Sequence, residues 1–137
     1  MVRKTIMKQR ELRLPELFKN LLAIDIDENT YIDLHNDYHC HKIDYISESQ
    51  QLRILFKAFN NTPYQVELVF NEVSFSKISF SFEDINDMAT IDNLYRGRFE
   101  SEGLKELSED GRSYYYIEFY TGFSFELFAS QITVICN

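Results

Sequence analysis

The sequence predicts a mainly β protein, an antiparallel β-sandwich or strongly curled sheet of about seven to eight strands with one short N-terminal helix. Three observations predict it. Apolar and polar residues alternate from Tyr38 onward, which is the period of a half-buried strand. The 137 residues include 12 Phe and 9 Tyr, and broad aromatic faces fit a pleated surface. No regular β–helix alternation is present, which argues against a parallel α/β fold.

The length fits one domain, with a core large enough to dispense with staples. Only four Gly and two Pro occur, so extended glycine-rich loops and low-complexity linkers are excluded. Charge divides the chain in two. Residues 1–13 carry Arg3, Lys4, Lys8, Arg10 and Arg13 against Glu11, a charge of +4, so residues 14–137 carry −12 of the net −8. The expected organisation is a basic N-terminal arm, 1–13, followed by a single β-rich domain, 14–137.

Within the arm, periodicity is weak, and a frayed segment or a short leading strand both fit. Pro15 suits a first helical turn, and Phe18, Leu21 and Leu22 recur at helical spacing, so residues 15–23 read as a short amphipathic helix. Residues 24–37 read as a polar, acidic, irregular connector. Leu52, Ile54 and Phe56, then Val66, Leu68 and Phe70, alternate on either side of Asn60-Asn61-Thr62-Pro63, which marks a hairpin. The alternation runs to Val73 and Phe75, then slips phase to Ile78, Phe80 and Phe82. A slip of that kind requires a bulge or tight turn near Ser76-Lys77.

Residues 83–93 read as a polar crossing with room for one helical turn. Residues 94–99 form a short strand with Arg96 and Arg98 on one side, and residues 100–113 a mobile charged loop holding the turn signal Asp110-Gly111. Residues 114–120, 123–128 and 132–135 are aromatic or β-branched strands, the first two joined by Thr121-Gly122, a two-residue hairpin signal.

Motifs that carry chemistry are sparse. No nucleophile elbow, phosphate-binding glycine loop, H-E-x-x-H helix or C-x-x-C pair occurs, and the protein is read as not an enzyme. Cys40 lies between His39 and His41, but neighbours on a strand face opposite ways, so neither imidazole serves as its base. Two cysteines without an export signal read as reduced thiols and a cytoplasmic location. No run of about 18 apolar residues is present to span a membrane.

No cofactor is expected and no metal ligands are assigned. The alternative is a metal- or small-ligand-binding protein using His35, His39 and His41, with Asp37, His39 and His41 sharing one strand face. Residues 25–33 imitate the start of a calcium loop, but Thr30 stands where that loop needs Gly and Asn36 where it needs a bidentate Glu. Tyr114-Tyr115-Tyr116, with Phe119, Tyr120 and Phe123, read as a strand with one packed face and one tyrosine-covered face. Nucleic acid is disfavoured as a partner because stacking platforms need a positive groove. Exposed tyrosines suit a protein interface instead, or a homo-oligomer formed through that face.

Leu34-His35-Asn36-Asp37, followed by strands at 52–56 and 66–73 and an aromatic hairpin at 116–134, resembles small bacterial all-β proteins with an L-H-[DN] motif. That group includes immunity proteins of bacterial toxin systems and uncharacterised relatives. The resemblance spans Tyr31 onward and implies a non-enzymatic, immunity-type domain that neutralises a basic partner by occlusion. Asp25, Asp27, Glu28, Asp33 and Asp37 are the expected charged surface, with Tyr31 and Tyr38 as aromatic anchors.

Overall fold

The computed structural model describes residues 7–60, 62–79, 90–120 and 122–137. Its elements begin with β1 (Lys8–Leu12), β2 (Ala23–Asp27), β3 (Thr30–Asp33), β4 (Tyr38–Ile46) and β5 (Gln51–Ala58). Next come β6 (Gln65–Asn71), β7 (Ser74–Ser79), β8 (Ile91–Arg96), β9 (Arg98–Glu100) and β10 (Gly103–Lys105). The last are β11 (Ser113–Phe119), β12 (Ser124–Ala129) and β13 (Gln131–Cys136). Thirteen strands and no helix are thus present among the described residues, against the smaller strand count and the helix expected. The mainly β, antiparallel character stands.

Alternation in β5 and β6 builds the spine. Leu52, Ile54 and Phe56 lie opposite Phe70, Leu68 and Val66, and all six are buried. Further strands extend this pair into the order β1-β13-β6-β5-β4, while a second sheet runs β7-β12-β11-β8. Neither sheet closes on itself, and every pairing between these strands is antiparallel. Both contribute to one core. Phe70 meets Tyr115 of the other sheet edge-on at 5.8 Å, and Tyr45 meets Phe75 at 5.2 Å. Edge-to-face pairs of this kind add to the stabilisation from buried area.

Two phase slips are absorbed by bulges. Glu126 pairs with Lys77 and Leu127 with Phe75, leaving Ser76 as the extra residue, at the position the alternation required. Phe80 and Phe82, and most of the segment expected to hold a helical turn, lie outside the described residues. In β4, Cys40 pairs with Phe56 and Lys42 with Leu55, so His41 is extra. The expected common face for Asp37, His39 and His41 is therefore broken by the bulge.

The N-terminal helix is replaced by an irregular segment laid along β8. Leu17 bridges Arg96, Phe18 N donates to Arg96 O, and Leu21 N donates to Leu94 O, both at 2.9 Å. Phe18 has φ of 61°, which no α-helix tolerates. A nine-residue helix is marginal by itself, whereas this path buries both Leu21 and Leu22. The supposed irregular connector holds the β2–β3 hairpin, and the supposed charged loop holds the β9–β10 hairpin. Arg96 and Arg98 do not share a side: Arg96 is buried opposite Tyr115, while Arg98 packs over Tyr116. Within the arm, residues 8–12 form an edge strand on β13.

Gly97 makes the break between β8 and β9 with φ of 94°, and a Cβ built there would stand 2.8 Å from Leu17 Cδ2. Gly97→Ala should cost about 1–3 kcal/mol through backbone strain and this close approach. Urea denaturation checks it; an unchanged midpoint contradicts this account of the break.

Candidate recognition surface

Hairpin β2–β3 is rooted by Ile24, Ile26 and Ile32, all buried, while the alternate Asp25 and Asp27 face solvent. Tyr31 pairs with Asp25 across the hairpin and is 62% exposed. Asn29 N donates to Asp27 Oδ1 at 2.8 Å to close the turn. Edge strand β1 then neutralises part of the acid. Lys8 Nζ lies 3.1 Å from Asp27 Oδ2 and donates to Thr30 Oγ1 at 2.7 Å, and Arg10 donates to the Asp25 carbonyl. The Asn29 amide first, and then Lys8, hold the Asp27 carboxyl below its ordinary range.

The expected residues thus have different roles. Asp33 builds the loop after β3: its carboxylate accepts from Asn36 Nδ2 at 2.7 Å and from the His35 and Asn36 amides at 3.1 Å. The Asn36 side chain is the chief cause that lowers its pKa. Asp25, Glu28 and Asp37 are exposed, and no ion pair engages their carboxylates among the described residues. Tyr38 is half-buried, and burial raises its phenol. With Tyr31, Tyr64, Lys8, Thr30 and Ile32 it lines a cleft of about 320 Å³. Tyr64 opens the alternation that continues through Val66, Leu68 and Phe70, and no local signal marks it as lining a cleft.

The histidines are not gathered. His35 Nδ1 donates to the Ile91 carbonyl at 2.8 Å and lies 3.5 Å from Asp92 Oδ1. The His39 ring packs on Phe59 at 5.3 Å, and His41 is the exposed bulge residue. No group of three His, Cys, Asp or Glu among the described residues is arranged to hold a metal ion. Cys40 faces the core opposite Phe56, and burial pushes its thiol up to about 12.

The tyrosine face is covered. Tyr115 is fully buried toward the shared core, while on the opposite face Tyr114 is fully buried and Tyr116 half-buried. Tyr114 donates to Glu126, and Tyr116 donates to Glu118 at 2.7 Å. Arg98 lies 3.3 Å from Glu126 and 4.5 Å above the Tyr116 ring. Burial first, then the Glu118 carboxylate, pushes the Tyr116 phenol up to about 12. Tyr115 also reaches about 12 through burial, partly offset by Ser113.

Comparison of the chain with family models, with curated proteins and with solved structures gives no match. No helix among the described residues is long and apolar enough to cross a membrane.

Two measurements check this chemistry. At pH 8 a thiol with a pKa near 12 holds only about one part in 10⁴ thiolate. Iodoacetamide should therefore leave Cys40 unmodified in the native protein and alkylate it in urea; rapid native alkylation contradicts its burial. The folded state keeps the Tyr115 and Tyr116 phenols neutral, so their stabilising contribution is present below about pH 10 and lost as pH rises toward 12. Ultraviolet titration should show both ionising late, coincident with alkaline unfolding; ionisation of all nine tyrosines in one step near pH 10, with the fold intact, contradicts it.

Proposed function

We propose that this domain is a non-enzymatic protein-binding module that meets a basic protein partner, acting in the manner of an immunity protein by occlusion. The observation that carries this reading is the β2–β3 hairpin. Three buried isoleucines fix it to the core, while the Asp25 and Glu28 carboxylates and the Tyr31 ring stand in solvent beside the tyrosine-lined cleft. Tyrosine is enriched among residues that dominate binding energy. Exposed carboxylates mainly steer encounter and select partner charge, and the net charge of −8 favours cationic partners.

Affinity capture from cells that produce the chain tests it, comparing the native sequence with Asp25→Lys/Glu28→Lys and with Tyr31→Ala. A protein of basic isoelectric point should be retained at low salt and released near 1 M, where charges are screened within about 3 Å. Each variant should weaken retention at least about tenfold. Retention indifferent to both variants, or recovery of neutral proteins alone, refutes the reading.

A further inference from the structure

Arg96 is a buried charge with no counter-charge. The residue is 7% exposed and sits on β8 directly opposite Tyr115. Its Nη1 donates to the Pro15 carbonyl at 3.2 Å, while Nε is buried without a partner. No carboxylate pairs with it among the described residues. Glu126 is taken by Arg98 on the opposite face of the sheet. Glu16, next to Pro15, is exposed, and Glu106 is half-buried with its carbonyl accepting from the Tyr114 amide; neither forms an ion pair with Arg96. A guanidinium does not shed its proton to escape this cost, and an isolated buried charge is expensive.

Two hydroxyls share its face. Tyr115 is fully buried, and its Oη also lacks a partner. Residues directly opposite on antiparallel strands carry their Cβ atoms about 5 Å apart on one side of the sheet, and the Arg96 charge acts on the Tyr115 phenol. Ser113 lies two residues back along β11, hence on the same face, and is 2% exposed. Its hydroxyl offsets part of the rise in that phenol without bonding to it. Buried polar atoms left without partners call for a water or an ion, and a water brings no charge to a guanidinium.

We propose that Arg96, Tyr115 and Ser113 form a buried site for a small free carboxylate, of formate or acetate size. The arginine sets the shape of the ligand. With Nη1 held by Pro15, the Nε and Nη2 hydrogens remain, two parallel donors that match the two oxygens of a carboxylate. One negative charge cancels the guanidinium, and the phenol and the hydroxyl donate to the lone pairs left over. Chloride offers the charge without the paired oxygens, and burial restricts the ligand to a few atoms. Because the same guanidinium holds Pro15, the ligand also secures the segment laid along β8. The site is independent of the β2–β3 hairpin and of its basic partner.

Calorimetric unfolding of the full chain in sodium formate, sodium acetate or sodium chloride at equal ionic strength tests it. Formate or acetate at about 0.2 M should raise the midpoint by about 3 °C over chloride. Arg96→Met should abolish the difference. Tyr115→Phe keeps the ring and the charge, so its midpoint in chloride should match the native one, whereas about tenfold more formate should be needed for the same rise. Should Arg96→Met fail to fold, Tyr115→Phe and Ser113→Ala carry the test. Equal native midpoints in formate and chloride overturn the proposal. So does a formate effect that the variants retain in full, which is a general salt effect. A response seen only in Glu16→Gln overturns it too, since Glu16 would then be the resident counter-charge.

Discussion

The two sheets depend on one corner, at Asn71. The chain changes sheets between β6 and β7 and again between β12 and β13, and both crossings pass this residue. Ser130 N donates to Asn71 O at 2.9 Å, Gln51 Nε2 donates to Asn71 Oδ1 at 2.9 Å, and Asn71 Nδ2 reaches Thr133 Oγ1 at 3.4 Å. Because Asn71 is paired with Gln131 in the first sheet, β7 and β12 emerge already adjacent, with Ser74 opposite Phe128 in the second. Register in one sheet thereby sets register in the other. A one-residue slip would turn every side chain of a strand to the wrong face.

That register decides what β11 and β12 hide. Tyr115, Ile117, Leu127 and Phe125 turn toward the shared core, so Tyr114, Tyr116 and Glu126 fall on the opposite face. Glu126 is itself buried, and a buried carboxylate needs both a counter-charge and hydrogen-bond donors. Tyr114 and Arg98 supply them. A hairpin that brings Arg98 and Lys105 down onto a tyrosine face has only its other side left for Phe99 and Leu104. The exposed apolar patch is thus the counterpart of a satisfied buried acid, reached through strand alternation alone.

Legibility in the sequence follows from how locally each signal is determined. The pairs Leu52/Phe70, Ile54/Leu68 and Phe56/Val66 carry their own period, and the slip at Ser76 could be placed because one strand shows it alone. Hairpin β2–β3 is hidden in the sequence because Asp25 and Asp27 beside Ile24 and Ile26 weigh as polar, although they alternate. The spacing of Phe18, Leu21 and Leu22 fits a helix or an edge-bound segment equally, and the carbonyls of Arg96 and Leu94 decide between them. Nothing local signals that Arg98 and Lys105 point inward. At the candidate surface, composition cannot separate Asp33, used by Asn36 and His35, from Asp25 and Glu28, which stand open.

Net charge is for the same reason a poor guide to the field a partner meets. The basic residues of β1 are not a detached arm: Lys8 and Arg10 are laid against the acidic hairpin, and Lys8 cancels Asp27 in place. The field near β2–β3 then comes from Asp25 and Glu28, offset in part by Arg10 at the Asp25 carbonyl, in high-dielectric surroundings where each pair interaction amounts to about 1 kcal/mol or less. Charges of that size orient an approaching cationic surface, favour it over an acidic one and supply only part of its retention. In the proposed binding, the larger part of retention falls to a ring whose position costs little entropy to fix, that of Tyr31 on a hairpin anchored by three isoleucines. In that proposal, steering by Asp25 and Glu28 and retention by Tyr31 are separable, because they reside on different side chains of one anchored hairpin.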